Sequence, residues 1–175
     1  MIFTELSLPG AFLIDLEPQT DERGFFARTY WDAEFEKHGL NPSIAQCSIS
    51  FNTRRGTLRG IHYQAHPYGE CKLVRCTRGA IYDVVVDPRP DSEEYCGWFA
   101  VELTASNHRM LYIPEGLAHG FQTLEDHSEV FYQISRAYMH AAMRGVRWDD
   151  PAVGIQWAEE PRVISERDQG FANLL

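Results

Sequence analysis

This chain has no CxxC motif. Cys47, Cys71, Cys76 and Cys96 are scattered along it, so disulfide and metal roles give way to plain core or surface thiols. No apolar run approaches the length of a membrane span. The opening MIFTELSLPG lacks the basic and then apolar pattern of a secretory signal. Both absences lead us to expect a cytoplasmic protein with no membrane partner. Positive charge is in deficit as well: 16 Lys and Arg against 25 Asp and Glu leave a formal charge of −9. That balance argues against general nucleic-acid binding. Repeats, low-complexity tracts and linkers are missing too, so the chain reads as one domain, 1–175, long enough for a full core.

What is present favours β-structure. Aromatic residues make up 13% of the chain, and short apolar segments recur with turn signals between them. Strands are predicted over 11–17, 24–30, 43–51, 57–64, 71–78, 80–87, 97–104, 108–113, 118–124 and 128–136. One short helix is predicted over 32–38, with Asp32 as its cap and Gly39 as its end. SERD (165–168) reads as a brief helical turn.

Two stretches carry the chemistry: LRGIHYQ (58–64) followed by Lys72, and PEGLAHGF (114–121) followed by Tyr132. Strand alternation sets Lys72 beside Val74 and Cys76, His119 beside Phe121, and Tyr132 beside Val130. Each polar candidate therefore shares a face with apolar neighbours, as expected where a few polar groups are set into a barrel interior. A lysine in that setting is rare without a partner or a task. Strict alternation sends Arg59 and His62 to opposite faces, so both reach one ligand only if Gly60 marks a bulge.

The spacings around His62 and His119 resemble the two cupin motifs. Metal-binding cupins place a second histidine where Gln64 stands and a glutamate slightly before the position of Glu70. Without that set a transition metal would be under-coordinated. The expected fold is all-β, a cupin-like double-stranded β-helix (a jelly-roll barrel) with short peripheral helices and no metal. Free imidazoles then remain for acid–base work. His62 can abstract a proton alpha to a ketone, Lys72 can hold the enolate oxygen, and Tyr132 can return a proton from the opposite face. Asp168 can fix the tautomer of His62 if the tail folds back.

The motifs DERGFF (21–26), GTLRGIHYQ (56–64), KLVRCTRGAIYDVVVD (72–87), PEGLAHGF (114–121), FYQ (131–133), RGVRWDDPAVGIQW (144–157) and SERD (165–168) occur in order along nearly the whole chain. In these it resembles the dTDP-4-dehydrorhamnose 3,5-epimerase family, epimerases of nucleotide-linked 4-keto-6-deoxy sugars. The resemblance implies His62 as base paired with Asp168, Tyr132 as acid, and Lys72 beside the keto oxygen, with His119 in the same pocket. It implies diphosphate contacts from Arg23 and Arg59, a cleft lined by Phe26 and Gln46, and a nucleotide end near Tyr138. Arg167 counts among the substrate-binding positions, although the family often has lysine there. Asparagine is common in the family at Ser48, and Pro-Glu-x-Glu where this chain reads HAAM (140–143). No cofactor is implied. The implied partners are a nucleotide-diphosphate sugar and a second copy of the chain, with N-terminal segments exchanged in a homodimer. A sibling that inverts one carbon, a metal-dependent cupin enzyme and a silent sugar-binding cupin are the competing readings.

Overall fold

The computed structural model describes residues 1–175. In chain order the elements are β1 (Ile2–Glu5), β2 (Phe12–Asp15), β3 (Gln19–Asp21), β4 (Gly24–Phe26) and helix α1 (Asp32–Lys37). Next come β5 (Gln46–Asn52), β6 (Thr57–Gln64), β7 (Lys72–Arg78), β8 (Ala80–Val86), β9 (Trp98–Thr104) and β10 (Met110–Ile113). The chain closes with β11 (Ala118–Thr123), β12 (Ser128–Ile134), β13 (Met143–Gly145), β14 (Val163–Ile164) and helix α2 (Glu166–Gln169). No helix is long and apolar enough to cross a membrane.

The strands form two open sheets and a small hairpin. One sheet runs β1-β2-β10-β7-β12-β5 and the other β13-β6-β11-β8-β9, while β3 pairs only with β4. β14 joins the second sheet as a short parallel partner of β6. No ladder connects the two sheets, and each keeps two edges. The expected closed jelly-roll barrel is therefore wrong; the architecture is mostly β with peripheral helices, but open. Face-to-face packing satisfies the inward rows, which removes the need for a bridging strand. Val74, Cys76, Leu111 and Val130 from the first sheet meet Ile81, Val85, Leu103 and Phe121 from the second in a core of 12 buried residues.

Two outer layers cover the sandwich. Phe35 of α1 packs with Ile14, Leu73, Met110 and Tyr112 on the outside of the first sheet. Tail residues Val146, Val153, Ile155 and Trp157 cover Ile61, Val84, Val86 and Ala118 on the outside of the second. The helix ends as its sequence suggests. Gly39 adopts φ +72, its N–H donates to Glu36 O, and the Leu40 N–H donates to Phe35 O, a glycine-terminated motif. Its start differs. Trp31 holds the cap position without a side-chain bond, and Asp32 is the first helical residue, accepting from the Ala33 N–H at 2.7 Å. The predicted strand over 24–30 shrinks to Gly24–Phe26. β1 was not anticipated, because IFTE at a sheet edge has little inward-facing alternation to read.

Candidate active site

At one end of the sandwich the inward rows turn from apolar to polar. They enclose a cavity of about 660 Å³ lined by Arg59, His62, Lys72, His119, Tyr132, Tyr138, Arg167 and Asp168, with Ser48, Ser50 and Glu70 on the same walls. The first sheet supplies Lys72 and Tyr132, the second Arg59, His62 and His119. The histidine at 62 therefore faces the tyrosine at 132 from the opposing sheet.

A bulge aligns Arg59 with His62. Along β11, His119 pairs with His62 and Phe121 pairs with Arg59, so three residues of β6 span two of β11. Gly60 permits this at φ +124. A Cβ there would lie 2.5 Å from Gly120 Cα and 2.9 Å from His119 O. Two glycines touching across the ladder thus turn both functional side chains into one space. Arg59 is then held by Asn52, whose Oδ1 accepts from its Nε at 2.7 Å.

The tail folds back onto β6. β14 pairs with Thr57 and Leu58, Ser165 caps α2 by accepting from the Asp168 N–H, and Asp168 is carried under His62. Asp168 Oδ1 lies 2.8 Å from His62 Nε2. Its Oδ2 accepts from the Gly60 N–H at 3.2 Å. Burial alone would raise this carboxyl, but the hydrogen bond and charge of His62, helped by the Gly60 amide and Arg167, hold it at about 2. Arg167 Nε donates to Asp168 Oδ1 at 3.1 Å, and its Nη2 lies 3.3 Å from His62 Nε2. Two donors cannot bond each other, so when Nε2 carries its proton to Asp168 the guanidinium serves the carboxylate and not the ring. Phe171 stands edge-on to His62 at 5.5 Å.

On the facing wall, burial pushes the Tyr132 phenol well above its ordinary value; the Asp83 charge adds to this and Arg59 partly offsets it. His119, packed edge-on against Tyr132, is bonded through Nε2 to Asp83 Oδ1 at 2.6 Å. Asp83 is fully buried, and its Oδ2 has no partner. Lys72 is 8% exposed. Its Nζ donates to His62 O at 3.2 Å. Gln64 is committed to backbone, with Nε2 donating to Tyr68 O and Oε1 accepting from the Met139 N–H.

Three sequence-named residues lie elsewhere in the single chain. Arg23 on the β3–β4 hairpin is 84% exposed and pairs with Asp21, Phe26 is 69% exposed, and Gln46 opens the edge strand β5. None of them lines the cavity. Conversely, the sequence reading passed over Asp83 and Asn52 and saw Glu70 only as a misplaced metal ligand. Asp83 did carry a signal: an acid alternating with Ile81 and Val85 in an apolar strand requires a buried partner. Asn52 carried none.

A family profile described as dTDP-4-dehydrorhamnose 3,5-epimerase matches residues 5–175. The chain belongs to this family. It is 43% identical over 176 residues to the dTDP-4-dehydrorhamnose 3,5-epimerase of Methanothermobacter thermautotrophicus, covering 98% of this chain and 94% of that protein. The crystal structure of the Bacillus anthracis dTDP-4-dehydrorhamnose 3,5-epimerase with TDP and PPi bound superposes with a TM-score of 0.94 at 35% identity, covering 98% of each chain. ChmJ, a 3'-monoepimerase from Streptomyces bikiniensis solved with dTDP-quinovose, superposes with a TM-score of 0.90 at 33% identity, over 97% of this chain and 86% of that one. The proteins to which this chain is similar thus include enzymes named for two inversions and for one.

Proposed function

We propose that this chain epimerises a dTDP-linked 4-keto-6-deoxyhexose at C3 and C5, converting dTDP-4-dehydro-6-deoxyglucose to dTDP-4-dehydrorhamnose without a cofactor. One observation carries the reading: a carboxylate-paired histidine and a partly buried tyrosine line one cavity from opposing sheets, with a buried lysine on the same walls. The C4 ketone makes the hydrogens on C3 and C5 removable, provided a base and an oxyanion stabiliser stand together. Asp168 takes the Nε2 proton of His62 as a hydrogen bond, leaving Nδ1 to remove the carbon-bound proton. The Lys72 ammonium takes the charge developing on the C4 oxygen. Tyr132 then delivers its proton to the opposite face of the carbon, and the centre is inverted. The remote nucleotide diphosphate, held by Arg59, supplies the binding energy that orients a small ring.

The same reading makes the protein a homodimer. Cys47, Ile49 and Phe51 project outward from the edge strand β5, with Ile49 63% exposed. Phe25 and Phe26 stand exposed on the β3–β4 hairpin. Such apolar surface at a free edge suits a second copy. Crossing hairpins would carry Arg23 and Phe26 to the neighbouring cavity, the task they do not perform in their own.

Incubation with dTDP-4-keto-6-deoxyglucose in deuterated water tests the reading. Deuterons at both C3 and C5 of the product are expected. One deuteron would assign the chain to single-centre epimerases such as ChmJ, and none would refute both.

A further inference from the structure

Glu70 has no part in the chemistry above, yet its carboxylate lies on the cavity wall against the ammonium that the chemistry requires. Glu70 Oε1 is 3.2 Å from Lys72 Nζ, and both side chains are about nine-tenths buried, at 9% and 10% exposed. Glu70 and Lys72 are two apart in the chain, and both side chains reach the same cavity wall. The intervening Cys71 is pinned at both polar ends: its N–H donates to Ser135 Oγ at 2.8 Å, and its carbonyl accepts from the Ser135 N–H at 3.0 Å. Glu70 therefore projects from a fixed point of backbone.

We propose that Glu70 is a positioning residue for the epimerisation, anchoring the Lys72 ammonium so that it meets the C4 oxygen of the sugar. Two contacts hold the ammonium, the His62 carbonyl on the second sheet and the Glu70 carboxylate on its own strand. A lysine head has three donors on a flexible four-carbon stem. Fixing it at two points leaves the remaining N–H direction for the ligand. Removing the Glu70 acceptor leaves one donor of a nine-tenths-buried head unpaired, and an unsatisfied buried donor costs free energy that no water repays. Without Glu70 the head gains by swinging toward water and leaves the ketone. This assignment rests on the epimerase reading.

The test compares Glu70→Ala with Glu70→Gln, which keeps an acceptor at the same reach. In Glu70→Ala, kcat for solvent-deuteron incorporation should fall about 10-fold or more, with KM within about 2-fold, as for loss of an interaction made in the transition state. The affinity for dTDP alone, which lacks the ketone, should not change. Glu70→Gln should recover kcat to within about 3-fold of wild type. In a Lys72→Met background, Glu70→Ala should add nothing, because its effect runs through the lysine. Wild-type kcat in Glu70→Ala, or an undiminished further loss in the Lys72→Met background, would overturn the proposal. Should Glu70→Ala not fold, Glu70→Gln decides: a kcat loss above 10-fold with normal dTDP binding refutes the anchoring role. Nitrogen-15 NMR of the Lys72 ammonium in substrate-free protein is independent of the epimerase reading. A slowly exchanging signal present in wild type and lost in Glu70→Ala is expected, and its persistence would refute the pairing even if no sugar is turned over.

Discussion

In the proposed mechanism the two ring nitrogens of His62 have different tasks, and Asp168 separates them. Nε2 is tied to the carboxylate at 2.8 Å, so the tautomer is set before substrate arrives. His62→Ala should lower deuteron incorporation at both carbons by roughly 10²–10⁴-fold, the usual weight of a positioned base; wild-type exchange in that variant would remove His62 from the role. Tyr132→Phe should impair inversion more than exchange, since deprotonation needs only the base. Equal losses, followed by product stereochemistry and mass together, would contradict that division. Asp168 also links the site to stability. Its carboxyl is held at about 2, below its unfolded value, so its contribution is full above pH 4 and is lost as pH falls toward 2. Asp168→Asn should be less stable than wild type at pH 6 by roughly 1–2 kcal/mol, discounted for water at the cavity mouth. Urea unfolding from pH 6 to pH 2 should show that difference closing across the acid window.

Among the elements, β6 does the most to shape the site. Its bulge at Gly60 aims Arg59 and His62 into one cavity, and its outer edge receives the tail strand that delivers Asp168. Gly60→Ala should cost on the order of 2–4 kcal/mol, from the positive φ and from collision with the Gly120 backbone. A thermal melt and an exchange assay should fall together, because relief of the collision displaces the histidine. The tail is itself clamped further along: Asp150 Oδ2 accepts from the Leu174 N–H at 2.6 Å, and Arg147 Nη1 donates to Gln169 O. Helix α2 is one turn long and has little stability of its own. Its position comes from these clamps, from the Ser165 cap and from the Asp168 contacts.

For the whole molecule, the exposed β3–β4 hairpin leads to a prediction about assembly. If hairpins cross, Arg23→Ala and His62→Ala disable different components of each shared site. Mixing the two inactive variants by co-expression should then restore about a quarter of wild-type activity, since half of the dimers are mixed and each holds one intact site. No recovery would mean that each chain completes its own cavity. Ile49→Asp, on the exposed outer face of β5, should shift sedimentation toward a monomer and lower turnover with it.

Most strand positions, the short helix with its glycine stop, and His62, Lys72 and Tyr132 as polar residues set into strands were legible in the chain because each leaves a local mark. Apolar residues alternate along strands, Gly39 permits a left-handed turn, and a polar residue in an apolar row announces a burial that needs a purpose. Closure of the sheets left no such mark. Alternation says which face of a strand is inward, and it is the same for an open sandwich and a closed barrel; only the ladder partners decide between them. Which partner each functional group takes was equally hidden. Asn52 reaches Arg59, Asp83 reaches His119 and Glu70 reaches Lys72 through contacts set by register, by a bulge or by a pinned loop. The sequence by itself determined which residue types could move a proton and which strands would carry them. Tertiary structure alone decided that His62 and Tyr132 would line one cavity from opposing sheets, because that juxtaposition belongs to the packing of two sheets and to no segment of the chain.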